Sequence, residues 1–147
     1  MYKDTQDFSK LICGKVYGTN SGTIYKKCCS ADTLNWDIGK SRYFGRQGAP
    51  LHAEKCDKRG NSVWFLSYCI WEKRGIKSSH NFEHTNEVVG NGEEIIEKAS
   101  EHGFATDKVR ITFVKTRYGY EFLGVYELVT NGLTRLFKRL NSVYPNK

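Results

Sequence analysis

The run VRITFVKTRYGYEFLGVYELVTNGLTRLFKRL, residues 109–140, narrows the choice of fold more than any other stretch of the chain. Its first part alternates, with Val109, Ile111 and Phe113 on one face, the two-residue period of a strand. Tyr118-Gly119-Tyr120 reads as a tight connection to a second strand, EFLGVYELVT, rich in β-branched and aromatic residues. Gly124 inside that strand marks a bulge or a close backbone approach. Asn131-Gly132 is a two-residue hairpin signal leading into LTRLFKRL. Both faces of the middle strand are apolar, so it is expected to be central and covered on both sides.

The rest of the chain is less regular. LICGKVY and TIYKKCC read as strands around the turn Thr19-Asn20-Ser21-Gly22, and SVWFLSYCIW as one buried strand with Cys69 as a small core residue. Asn91 is a plausible N-cap for EEIIEKASEHG, with glutamates at the positive end of the dipole and Gly103 after the last turn. This predicts a helix over 92–102. Ser30 to Asn61 and Glu72 to Gly90 are long polar stretches, and compact domains seldom carry such loops unless the loops work. The fold expected is α+β: a curved, mostly antiparallel sheet or a β-barrel with one or two flanking helices.

The 147 residues fit one domain, 1–147, and 39% hydrophobic with 27% charged residues is ordinary for a globular chain. No apolar run approaches the roughly 20 residues that cross a bilayer, so no membrane partner is expected. The opening MYKDTQDFSK lacks the apolar core of a signal peptide. Five cysteines, an odd number, point to free thiols in a reducing compartment. The expected location is the cytoplasm, or the nucleus in a eukaryote. Lys plus Arg exceed Asp plus Glu by 23 to 16, giving +7, which draws the domain toward polyanions.

Residues 36–48, WDIGKSRYFGRQG, combine Lys40, Arg42 and Arg46 with Trp36, Tyr43 and Phe44 between glycines. Cations meet phosphates, rings stack on bases, and glycines admit a close backbone. The same composition also suits a solvated loop anchored by its rings. In the last hairpin, Arg135, Phe137 and Arg139 share one strand face; they could track a nucleic-acid backbone or protect an edge strand by charge. His52 with Cys56, Cys28 with Cys29, and His80 with His84 are candidate metal ligands, but no C-x2-C pair accompanies them, and neither a metal nor a cofactor is expected. HNFEHTN, with His80, Asn81, His84 and Asn86, could serve a metal-dependent nuclease, though no P-loop or H-E-x-x-H pattern is present. No catalytic residue is assigned.

Two segments together carry a family resemblance. HTNEVVGNGEEIIEKA and VRITFVKTRYGYEFLGVYELV, within residues 84–129, are similar to the later half of SRA (YDG-type) domains of the wider PUA-like group. The resemblance implies a curved β-barrel flanked by helices and a role in reading modified DNA within restriction or defence systems. It also implies extended backbone near EEIIEKA, against the helix expected from local signals. By the same resemblance a modified base leaves the stack and sits between rings. Trp36, Tyr43 and Phe44 would supply the rings, and Asp37 would accept from an exocyclic amine. Lys40, Arg42, Arg46 and Lys55 would hold phosphates.

The leading expectation is therefore a non-catalytic DNA-binding module that reads a modified base by flipping. A phage or mobile-element protein that inhibits a nucleoprotein complex, with a protein as its partner, and a small metal-dependent nuclease are the rivals.

Overall fold

The computed structural model describes residues 7–31, 62–66, 69–77, 86–98, 109–130 and 134–145. These residues form a ten-strand, mostly β structure with one α-helix. In chain order the elements are β1 (Leu11–Ile12), α1 (Ser21–Ser30), β2 (Ser62–Leu66), β3 (Cys69–Trp71), a 3-10 turn at Glu72–Arg74, β4 (Ile76–Lys77) and β5 (Asn86–Val89). They continue with β6 (Glu94–Lys98), β7 (Val109–Thr116), β8 (Gly119–Thr130), β9 (Thr134–Asn141) and β10 (Val143–Tyr144). Eight strands make one sheet in the order β2-β7-β8-β9-β6-β5-β3-β4, and β1 pairs with β10 separately. Its neighbours pair antiparallel except β2 with β7 and β3 with β5.

The connectivity forces this sheet to curl. From β2 to β3 the sheet crosses six strand spacings, about 29 Å if it were flat. Yet Leu66 and Cys69 are only three Cα steps apart, within about 11 Å. The result is a curled half-barrel. Contacts inside the curl agree: Trp64 of β2 lies 5.1 Å, ring to ring, from Phe137 of β9, three spacings away in a flat sheet.

SVWFLSYCIW is thus two strands near opposite margins of the sheet rather than one. Side chains of both faces are buried. The convex face carries Val63, Phe65, Ile111, Phe113 and Phe122, packed against Tyr17 and against Ile24, Tyr25 and Cys28 of α1. The concave face carries Trp64, Leu66, Cys69, Trp71, Val88, Ile95, Val114, Leu123, Tyr126 and Phe137.

Two expected elements change type. TIYKKCC is helical. Asn20, expected in a turn between strands, caps α1 by accepting the Thr23 N–H at 2.9 Å. Ile24, Tyr25 and Cys28 then fall on one helical face and bury against the sheet.

Conversely, the helix expected over 92–102 is replaced by a turn and strand β6. Gly90 (φ 59°) and Gly92 (φ 94°) take left-handed backbone, and the Glu93 carboxylate accepts the Asn91 N–H. Once past that turn, β6 finds β5 on one side and β9 on the other, and two ladders outweigh local helical preference. The extended backbone that the family resemblance implied for EEIIEKA is what the fold contains.

The meander β7-β8-β9 stands as expected, with β8 central and buried on both faces from Gly119 to Tyr126. Gly124 (φ 137°) sits at a bulge opposite Thr112 and Phe113. A Cβ there would meet the Asn141 carbonyl oxygen at 2.8 Å. Asn131-Gly132 lies outside the described residues. β9 is an interior strand, so the edge-strand reading of Arg135, Phe137 and Arg139 does not hold. Nor is their face open, since Arg135 and Phe137 point into the curl and are buried.

Candidate functional site on the concave face

Alternation along β7 puts Arg110, Thr112 and Val114 on the concave side, and all three are buried. Arg110 would look like a solvent-facing residue in an open sheet. The curl turns that face inward.

Its guanidinium lies 4.4 Å from the ring centroids of both Trp64 and Phe137, which are themselves 5.1 Å apart and tilted, so it rests against the two rings from one side. Nη1 of Arg110 donates to Glu97 Oε2 at 3.1 Å. β7 and β6 are three spacings apart, about 14 Å in a flat sheet, so only the concave side allows this bond.

Glu97 stands opposite Arg135 in the β6–β9 ladder, and Arg135 Nη1 is 3.6 Å from Glu97 Oε1. Continuing the β5–β6 register by one step sets Asn86 opposite Glu97. Across the parallel ladder Asn86 partners Cys69. A polar row, Cys69–Asn86–Glu97–Arg135, therefore crosses four strands, with Arg110 and Trp64 meeting it from the other side of the curl.

Two groups near this row make no hydrogen bond among the described residues. The Asn86 side chain is 1% exposed, and neither its Oδ1 nor its Nδ2 has a partner. The indole Nε1–H of Trp64 is likewise buried without one. Cys69 is closed off from water, and burial pushes its thiol up to about 12. Farther along, burial also raises the Tyr126 phenol; its hydroxyl donates to the Gly92 carbonyl and receives Arg139 Nε at 3.3 Å.

The row sits at one end of the curl. The chain enters β2, β5, β7 and β9 there and leaves β6 and β8 there.

Trp36, Asp37, Lys40, Arg42, Tyr43, Phe44, Arg46 and Lys55 all lie outside the described residues, as do His52, Cys56, His80 and His84. Among the described residues no group of three or more His, Cys, Asp or Glu side chains could hold a metal ion. No helix among them is long and apolar enough to cross a membrane.

The residues that do converge are ones the sequence reading used otherwise. Asn86 stood in the nuclease motif HNFEHTN, Trp64 in a core strand and Glu97 on a helix. The one available signal was the inward phase of Arg110 and Thr112 beside an apolar Val114.

No family model matches the chain. No curated protein matches it either. Among solved structures it is similar to the 5-hydroxymethylcytosine-specific restriction enzyme AbaSI, with 19% identity and a TM-score of 0.44. The similarity covers 78% of this chain and 37% of that one, so this chain spans little more than a third of that protein's length.

Proposed function

We propose that this protein is a DNA-binding module of SRA-like type, without chemistry of its own, that reads a modified base drawn from the duplex onto the concave face at the polar row. The buried, unmatched amide of Asn86 is the observation that carries this reading. Leaving such a group unsatisfied costs about 1–3 kcal/mol, and a ligand that matches it recovers that cost. An amide offers a donor and an acceptor side by side, the pattern of a base edge. The Trp64 Nε1–H adds a second donor, and the surrounding rings suit a flat heterocycle. Extruding a base costs a few kcal/mol, which is smallest for a base already weakly paired.

The net charge of +7 supports attraction to the phosphate backbone. The segment that follows α1 enters β2 at the end of the sheet where the row lies. In this proposal Trp36, Tyr43 and Phe44 on that segment supply further rings, Asp37 accepts from an exocyclic amine, and Lys40, Arg42, Arg46 and Lys55 hold phosphates.

The test is a fluorescence anisotropy titration with plain, cytosine-modified and adenine-modified duplexes of one sequence. Wild type is expected to prefer one modified duplex. Asn86→Leu removes the amide at similar volume, so it should fold at least as stably while losing about 1–3 kcal/mol of that preference. Discrimination that survives Asn86→Leu would overturn the assignment. Absence of binding to any duplex, with tight capture of a protein component of a nucleoprotein complex, would favour the inhibitor reading instead.

A further inference from the structure

A second cluster lies at the far end of the curl from the polar row. The 3-10 turn after β3 and the tight turn between β7 and β8 approach each other there and enclose a cleft of about 540 Å³. Its walls bring Arg74, Lys77, Lys115 and Arg117 together with Tyr118, and among the described residues no carboxylate lines it. All four cations are exposed.

Arg74 is fixed in place. It makes paired 3.0 Å bonds to both carboxylate oxygens of Glu121, and its guanidinium lies 4.7 Å from the Trp71 ring. Glu121 is thereby committed to one cation, and the other three carry their charge into the cleft. Arg117 lies against Tyr118, whose ring is 55% exposed at the lip. Lys77, Lys115 and Arg117 crowd like charges that an anion in the cleft would relieve. A cleft of this volume between two cationic turns has room for phosphate groups.

We propose that this cleft is a backbone-binding track for DNA, separate from the concave site and occupied by phosphodiesters. This rests on the DNA-binding reading above. β7 runs from Arg110 at the polar row to Thr116 at the cleft, six residues or about 20 Å. At about 3.4 Å per nucleotide the track engages phosphates roughly six nucleotides from the base being read. The cleft adds affinity without sequence or modification preference.

The experiment compares wild type with the triple variant K77A/K115A/R117A and with a control triple, K10A/K26A/K27A, which removes the same net charge elsewhere. Arg74 is left intact, and thermal melts confirm that each variant folds. Binding to a 21-base-pair duplex is measured from 50 to 200 mM salt.

Each lost phosphate contact lowers the slope of log K against log salt by about 0.9, so the cleft triple should lose about 2.7. The affinity drop across that fourfold salt range then shrinks by roughly 40-fold, since 4 raised to 2.7 is about 42. The ratio of modified to plain affinity should not change. On a 9-base-pair duplex with the modified base at its centre, the cleft triple and wild type should bind alike.

An unchanged slope in the cleft triple overturns the proposal, as does an equal fall in the control triple. A difference that persists on the short duplex overturns the spacing. If wild type binds no duplex even in 50 mM salt, the DNA-binding reading falls with it. Binding that ignores the cleft triple sinks the cleft alone.

Discussion

Cys69 shows how a single side chain reports on the curl. It is a thiol on a three-residue strand, yet the concave face closes over it so fully that burial pushes it up to about 12. Tyr126 is raised by the same cause. Both groups are neutral in the folded protein where the unfolded chain would ionise. A folded value above the unfolded one means that the native state holds more protons, so stability falls as pH rises. The contribution of Cys69 is complete below about pH 9 and is lost as pH climbs from there toward 12. Near neutrality these groups leave stability flat. The thermal midpoint should therefore hold to about pH 9 and then decline, by at most about 1.4 kcal/mol per pH unit for each group. Cys69→Ala should make the decline shallower, and a curve that matches wild type would show that the thiol is not so enclosed. The sequence placed Cys69 correctly in the core. It could not show that Arg110 would rest against both Trp64 and Phe137, because those rings come from strands 46 residues earlier and 27 later.

Elements were legible where their partners are adjacent in sequence. The β7-β8-β9 meander pairs neighbour with neighbour, so alternation and turn residues suffice to identify it. β6 was not legible. Glutamates, an asparagine and the adjacent Ile95 and Ile96 satisfy helix signals locally, and the strand exists because β9, about 40 residues later, supplies the second ladder. α1 failed in the opposite sense. Thr, Ile and Tyr favour strands, but the stretch has a sheet face to cover, and helical spacing buries Ile24, Tyr25 and Cys28 together. The bulge in β8 was visible as Gly124 alone. It fixes which β8 side chains face each core, since Phe122 packs with the convex cluster and Leu123 with the concave one. Gly124→Ala places a side chain at φ 137°, against the Asn141 carbonyl. The strain costs about 1–3 kcal/mol, and the backbone contact adds to it. Urea denaturation should show at least that loss. A change below about 0.5 kcal/mol would mean that the bulge can migrate along β8.

At the scale of the molecule the decisive fact is that β2 and β3 follow each other in sequence and stand near opposite margins of one sheet. Periodicity cannot show this, because SVWFLSYCIW reads as one apolar strand until its two halves are given partners. The curl makes the concave polar row and, at its other end, brings the turn after β3 against β8. Arg74 and Glu121 join that seam, four strand spacings apart along the sheet. The pair is unequal: the Arg74 side chain is 42% exposed and that of Glu121 only 9%. Removing the carboxylate frees a guanidinium that water can solvate, so Glu121→Gln should cost less than about 1 kcal/mol. Removing the cation strands a mostly buried carboxylate, so Arg74→Ala should cost about 1–3 kcal/mol or more. The double variant should recover part of the larger loss, because the stranded charge is gone. Denaturation of the three variants measures this asymmetry directly. Equal single losses that add in the double variant would mean the two side chains do not depend on each other, and that the hydrophobic cluster of Trp64, Leu66, Trp71 and Val114 holds the margins of the half-barrel together without them.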